Sequence, residues 1–200
     1  MTALAHVVRC FGDENITHVD GSVDPIRDVE IINLELIFAD LDSVSKRISK
    51  CEKLLKTNDK ENKLQYEILL KLKQELEDGF LINLEKYEEH EQQIIKTFNL
   101  LSSKPTFFIA NINESEESRK MIEDLKSLAE NLNTFVIPAS IKIEHEISML
   151  DENEKKDCLN LMNMDEPVLN KIIFEGYKML GLKTFFTCLL YTSPSPRDSL

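Results

Sequence analysis

The hydrophobic positions change period along the chain, and each change predicts an element. Leu4 to Cys10 is short, apolar and β-branched, which suits a buried strand. A polar loop follows from Asp13 to Asp24. Asp24-Pro25 then reads as a helix start, with Asp24 capping free amides and Pro25 at the first helical position, where its missing N–H costs nothing. From Leu34 the residues Leu34, Ile37, Leu41, Val44, Ile48, Cys51 and Leu55 step alternately by three and four, the seam of a helix on a long partner. A polar break at Thr57-Asn58-Asp59 turns the chain. A second helical run carries Leu69, Leu72, Leu76, Phe80, Leu84, Tyr87, Ile94, Phe98 and Leu101 on one side, with Gly79 marking either a kink or an end. The short break favours an antiparallel helical hairpin.

Beyond Ser102-Ser103-Lys104-Pro105 the pattern becomes that of an α/β unit. Thr106 to Ala110 is a dense apolar run expected to form a buried parallel strand. Ser115 to Asn131 reads as an amphipathic helix with Met121, Leu125, Leu128 and Leu132 inward. Thr134 to Pro138 suits another strand. Helices are expected over Ile143 to Leu150, over Asp151 to Met162, and from Glu166-Pro167 to Leu180. Strand and helix on both sides of a heptad hairpin predict an α/β domain interrupted by a helical insertion.

Charge and composition narrow the function. The 200 residues carry a net charge of −12, which repels phosphate backbones and disfavours sequence-specific nucleic-acid binding. The four cysteines form no CxxC pair, and reduced thiols in the cytoplasm are the simple reading. No apolar run approaches the roughly 18 residues of a membrane span. Of the five glycines, no two fit GxxxxGK[ST] or GxGxxG.

Chemistry is most plausible where the Thr106–Ala110 strand ends in Asn111-Ile112-Asn113-Glu114, because open α/β sheets bind ligands beyond the carboxyl ends of their strands. In GTPases an NKxD loop stands there, its aspartate accepting from guanine. Here Ile112 replaces the lysine and the carboxylate of Glu114 is one methylene longer. An Asn side chain can accept from N6 of adenine and donate to N7, so Asn111 favours adenine while Glu114 orients the loop. The bland alternative is a polar strand-to-helix loop without a ligand. Phe11 stands at the end of the first strand as either a base-stacking wall or an ordinary loop aromatic. His6 and Cys10 share a strand face but stand about 13 Å apart, which argues against a metal. His18, His90 and His145 lack convergent partners. Glu144 and Glu146 fall on different helical faces, so an acid/base pair is disfavoured. The run Glu85-Lys86-Tyr87-Glu88-Glu89 reads as a solvated face.

The residues His6 to Asp28, which include Gly21-Ser22-Val23-Asp24-Pro25-Ile26-Arg27-Asp28, resemble the segment after the switch region in the YchF/Obg-like ATPase family. Lys104 to Glu114 is similar to that family's base-specificity motif, and Val136-Ile137-Pro138-Ala139-Ser140 to its next base-contacting loop. Glu166 to Asn170, Gly176-Tyr177 and Leu182 to Thr187 resemble the approach to its C-terminal TGS domain. The resemblance covers residues 1–187. It implies a partial P-loop NTPase parallel sheet, with residues 1–33 and 104–187 as two parts of the nucleotide-binding domain and 34–103 as an antiparallel coiled-coil insertion. Residues 188–200 resemble a translated adapter or vector tail.

The family's P-loop, switch regions and Mg²⁺-holding residues have no counterpart in these 200 residues, and its TGS domain has none either. The resemblance therefore implies an ATPase in the complete protein, using ATP and Mg²⁺, and an inactive 200-residue chain. Asn111, Ile112 through its backbone, Glu114 and Ser140 are the expected base pocket, with Phe11 as a wall. No catalytic residue is expected in this chain, and GTP is the alternative nucleotide. The ribosome, through its large subunit, is the implied partner. A different reading makes the helical hairpin an interaction module that the α/β part merely supports.

Overall fold

The computed structural model describes residues 2–12, 23–54, 60–113, 115–162 and 164–183. The expected turn at Thr57 to Asp59, the loop from Asp13 to Ser22, Leu55, Glu114 and the tail 188–200 lie outside them.

Three parallel strands form one sheet in chain order, β1 (Leu4–Arg9), β2 (Thr106–Asn111) and β3 (Val136–Ala139). The strands are short and apolar because the sheet is meant to be covered on both faces. Register puts Val8 beside Ala110 and Arg9 beside Asn111, then Asn111 beside Ala139. Along β2 the side chains alternate. Phe108 and Ala110 join Val8, Cys10, Val29, Leu125 and Ala129 in one cluster, which α1 (Pro25–Leu54) and α4 (Glu116–Asn131) cover. Phe107 and Ile109 join Ile137 and Ala139 on the other face, where Val168, Ile172 and Met179 of α7 (Val168–Met179) pack. On that second face β1 stays open, and Val7 is 50% exposed.

Most helices start as the sequence expects, while the one expected at Ile143 starts at Ile141. Asp24 Oδ1 accepts from the amides of Ile26 and Arg27, with Pro25 at the first helical position. Ser115 caps α4, Asp151 caps α6 (Glu152–Leu161) in a capping box with Glu154, and Pro167 precedes α7. Pro167 has no side-chain acceptor. Glu144 of α5 (Ile141–Ser148) supplies one instead, accepting from the amides of Val168 at 2.9 Å and Leu169 at 3.2 Å. Its role is thus to seat α7 against the sheet.

Between β1 and β2 the chain makes a helical excursion. α1 runs unbroken from Pro25 to Leu54, with no structural division at residue 34. Tyr66, near the start of α2 (Lys60–Glu77), bonds Glu52 near the end of α1. Ile37, in the first half of α1, lines a groove with Gly79 and Leu81 just past α2, so the two helices run antiparallel. Ile37, Val44 and Ile48 meet Ile68, Leu69, Leu72 and Leu76 in a dry seam, with Leu41 and Cys51 at its border.

The second arm differs from one long helix. At Gly79, φ is +81°, the Gly79 amide bonds the Leu76 carbonyl and the Phe80 amide bonds the Glu75 carbonyl, which is a Schellman stop. Gly79 is an end rather than a kink. A short 3-10 turn at Leu84–Lys86 and α3 (Glu89–Phe98) then fold Ile82, Tyr87, Ile95, Phe98 and Leu100 into the same seam. Because the helix stops, Phe80 leaves the seam and is exposed, as is Leu34 at the other end. Leu132, expected inward, lies past the last turn of α4 and is also exposed.

One buried carboxylate closes the excursion. Asp40, 3% exposed, accepts from the amides of Leu101 at 2.8 Å and Ser102 at 2.7 Å and from the Ser102 hydroxyl at 2.7 Å. Three donors converging on one charge satisfy it without a cation. Asp40→Ala should leave the Ser102 amide and hydroxyl and the half-buried Leu101 amide without their acceptor and lower the unfolding free energy by about 3 kcal/mol in urea titrations, with Asp40→Asn intermediate. Equal midpoints for all three proteins would show that the clamp contributes nothing.

Candidate functional site

The carboxyl ends of the three strands lie side by side, as their register requires. Arg9, Asn111 and Ala139 are cross-strand neighbours there. Backbone bonds continue one step beyond the strands, Cys10 N to Asn111 O at 2.8 Å and Ile112 N to Ala139 O at 3.1 Å. β2 and β3 are therefore direct neighbours. Sheet pairing leaves the tips rigid and the loops free to carry chemistry.

Of the expected site residues, Asn111, Ile112, Ser140 and Phe11 fall in this region. Asn111 closes β2 half-buried, and its Oδ1 accepts from the Ile141 amide at 3.3 Å. That bond caps the first turn of α5 from another strand and fixes which way the amide faces. Its Nδ2 donors have no partner among the described residues. Ile112 sends its side chain into the cluster under α1 and α4. Its N–H is held by Ala139, so the backbone atom left for a ligand is the carbonyl. Ser140 is the N-cap of α5, yet its hydroxyl makes no capping bond. Asn111 performs that task and leaves the Ser140 hydroxyl disengaged. Phe11 lies past β1, its ring 4.9 Å below the Arg9 guanidinium. Glu114 lies outside the described residues.

Asn113 orders the start of the loop after β2, whatever Glu114, outside the described residues, contributes. Its Oδ1 accepts from the Ser115 amide and hydroxyl and from the Ser118 hydroxyl. The Ser115 hydroxyl in turn accepts from the Ser118 amide, which makes the N-cap of α4. The pattern Asn-x-Ser-x-x-Ser was legible as an Asx turn feeding a cap. The free amides at the start of α4 thus face the same end of the sheet as Asn111.

A groove of about 1310 Å³ lies at the amino ends of β2 and β3, lined by Pro105, Thr106, Thr134, Phe80, Lys86 and Lys104. It is at the opposite end of the strands from the loops, and Lys104 Nζ is already bonded to Asn99 and the Leu100 carbonyl. No group of three or more His, Cys, Asp or Glu among the described residues could hold a metal. No helix among them is long and apolar enough to cross a membrane.

His6 and Cys10 face α1 below the site. Burial lowers the His6 pKa, and the charge of Asp28 partly offsets it. The His6 ring rests against Phe108 with centroids 5.7 Å apart, so it is a packing residue. Burial pushes the Cys10 thiol up to about 12, and Asp28 adds in the same direction. A raised thiol pKa favours the folded state below the ordinary value and is lost as pH climbs toward 12.

Comparisons with known proteins give a consistent picture. No family model matches the chain. It is 41% identical to a Haemophilus ducreyi protein named ribosome-binding ATPase YchF, over 186 residues that cover 92% of this chain and 51% of that relative. It is likewise 41% identical to the protein of that name from Bacillus subtilis, over 189 residues, 92% of this chain and 52% of the relative. The solved Schizosaccharomyces pombe YchF GTPase superposes with a TM-score of 0.74 at 30% identity, over 90% of this chain and 50% of that one. The chain spans about half the length of the relatives it matches.

Maleimide labelling at pH 8 should modify the partly exposed Cys51 and Cys158 in the native chain and reach Cys10 only after unfolding. Native labelling of Cys10 at a rate equal to Cys51 would contradict its burial.

Proposed function

We propose, from the premise that this chain belongs to the YchF/Obg-like family, that its strand tips form the base-recognition half of a nucleotide site. The observation that carries the reading is the placement of Asn111. It ends the middle strand, is held by the α5 amide on its acceptor side, and keeps two amide donors free among the described residues. An Asn so fixed can donate to N7 of adenine while its carbonyl oxygen shares its second lone pair with N6. The disengaged Ser140 hydroxyl and the Ile112 carbonyl complete the edge contacts, and Phe11 supplies an apolar face. Glu114 is assigned to the same loop by resemblance.

In the complete protein this site holds ATP with Mg²⁺, and hydrolysis is attack of water on the terminal phosphoryl group. Phosphoryl transfer rests on positioning and charge stabilisation by a P-loop lysine, backbone amides and the metal. The 200 residues contain no GxxxxGK[ST] sequence to provide the first two. The chain alone is an adenine-edge reader without a triphosphate cradle, working in the cytoplasm. Because its relatives are named as ribosome-binding, the ribosome is the proposed partner, with the large subunit as the contact. The helical excursion 34–101 is the proposed docking arm. A second reading, guanine recognition through Glu114, is favoured by one observation, the name GTPase given to the similar solved structure.

Adenosine titrated into the ¹⁵N-labelled chain at millimolar concentration should shift the resonances of Asn111, Ile112 and Ser140, and guanosine should shift them less. Asn111→Ala should weaken adenosine about tenfold, the discrimination one good amide–base pair provides. Stronger shifts with guanosine would overturn the adenine assignment. Purified chain should release no phosphate from ATP above background. Co-sedimentation with ribosomal subunits should be lost when residues 34–101 are replaced by a short linker and kept by Asn111→Ala; the reverse result would place ribosome contact in the α/β part.

A further inference from the structure

The geometry points to Arg9 as the residue that positions the Phe11 wall of the base site, an inference that rests on the adenine-edge reading above. Arg9 is the last residue of β1 and the direct neighbour of Asn111 across the sheet. In a strand, alternate residues share a face, so Arg9 stands on the side opposite Val8 and Cys10, the side that carries Asn111 and Ala139 at the tips. From there its Nε donates to the Phe11 carbonyl at 3.0 Å, and its guanidinium lies 4.9 Å from the centroid of the Phe11 ring. One side chain therefore grips both the backbone and the ring of the residue two positions on.

This grip is unusual for its setting. The chain carries a net charge of −12, yet Arg9 has no carboxylate partner among the described residues. Its cation is spent on an aromatic face and a carbonyl instead. Among the described residues its remaining four N–H donors, on the two Nη atoms, are unclaimed. A guanidinium on one face of a phenyl ring fixes the ring plane and draws electron density through it, which favours stacking of an electron-rich purine on the other face. Apart from the Nε bond and the guanidinium on its face, Phe11 has no ring, cation or hydrogen-bond partner among the described residues. Lysine substitutes only in part, because an ammonium keeps the positive charge but lacks both the Nε–H that meets the carbonyl and the planar surface that meets the ring.

The test compares the native chain with Arg9→Lys, Arg9→Gln and Phe11→Leu. Adenosine is the probe, and both its affinity and the ring-current shift of its H2 and H8 protons in the bound state are measured. The native chain should shield those protons, as stacking requires. Arg9→Gln and Phe11→Leu should abolish the shielding and weaken adenosine roughly threefold to tenfold. Arg9→Lys, which keeps the cation but not the Nε bond, should fall between. Backbone spectra of β2 and β3 unchanged from native would show that the variants are folded, and Arg9→Lys keeps the comparison alive if Arg9→Gln is not. Native shielding and affinity retained in both Arg9 variants would overturn the positioning role while leaving the base site standing. Loss of shielding in Phe11→Leu with no change in either Arg9 variant has the same consequence. A native chain whose Asn111 and Ser140 resonances ignore adenosine would overturn the base site and this inference together.

Discussion

The arrangement depends on a single buried charge. Asp40 sits in the middle of the longest helix and binds the two amides that immediately precede the turn into β2. Some sixty residues of helical excursion separate these points, and closing so long a loop costs conformational entropy that local contacts do not recover. The carboxylate recovers part of it by giving three donors one acceptor in a dry place. It also fixes where the chain re-enters the sheet. Three residues past Ser102, the Pro105 carbonyl accepts from the Leu4 amide and sets the register of β1 on β2. Through that register, the clamp at one end of the strands decides which side chains meet at the other.

At the far end, each strand delivers one element of a common edge. β1 ends in Arg9 and leads to Phe11, β2 ends in Asn111, and β3 leads to Ser140. None of these is a site alone. Asn111 is the pivot, because the bond that caps α5 also frees Ser140 from capping its own helix. Such exchange of roles between a strand tip and a helix cap is how a rigid scaffold holds polar groups ready for a ligand. The Asn113–Ser115–Ser118 turn caps α4 at the same end of the sheet. The covered face of the sheet, with His6 and Cys10 held neutral against α1, is plain support.

The relatives are named both as ATPase and as GTPase, and the strand-tip chemistry bears on that difference. An amide presents a donor and an acceptor together, which matches the N6–N7 edge of adenine. A carboxylate presents acceptors alone, which matches N1–H and the 2-amino group of guanine. The proposed preference for adenine therefore rests on one side chain whose orientation is set by a neighbouring helix. Its energy is that of one paired edge, so any shift of α5 relative to β2 would alter selectivity before it altered the fold.

Much of this was written in the chain. The seam from Ile37 to Ile48, the apolar run of β2, the caps at Asp24, Ser115 and Asp151 and the Asn111 tip all follow from spacing and local chemistry, because each depends on neighbours within a few residues. Of the two roles the sequence left open for Gly79, a kink or an end, the structure takes the end. Hydrophobic spacing can run on across a helix stop when the chain doubles back and buries the same face again, as Tyr87 and Phe98 do. What only the tertiary structure decided are contacts between residues far apart in sequence. They include the Asp40 clamp, the Glu144 cap on α7, the Asn111 cap on α5 and the placing of Arg9 beside Asn111. A sequence shows which side chains can donate and accept; packing alone determines which of them meet, since a bond between distant residues exists only once the sheet has brought its strands into register.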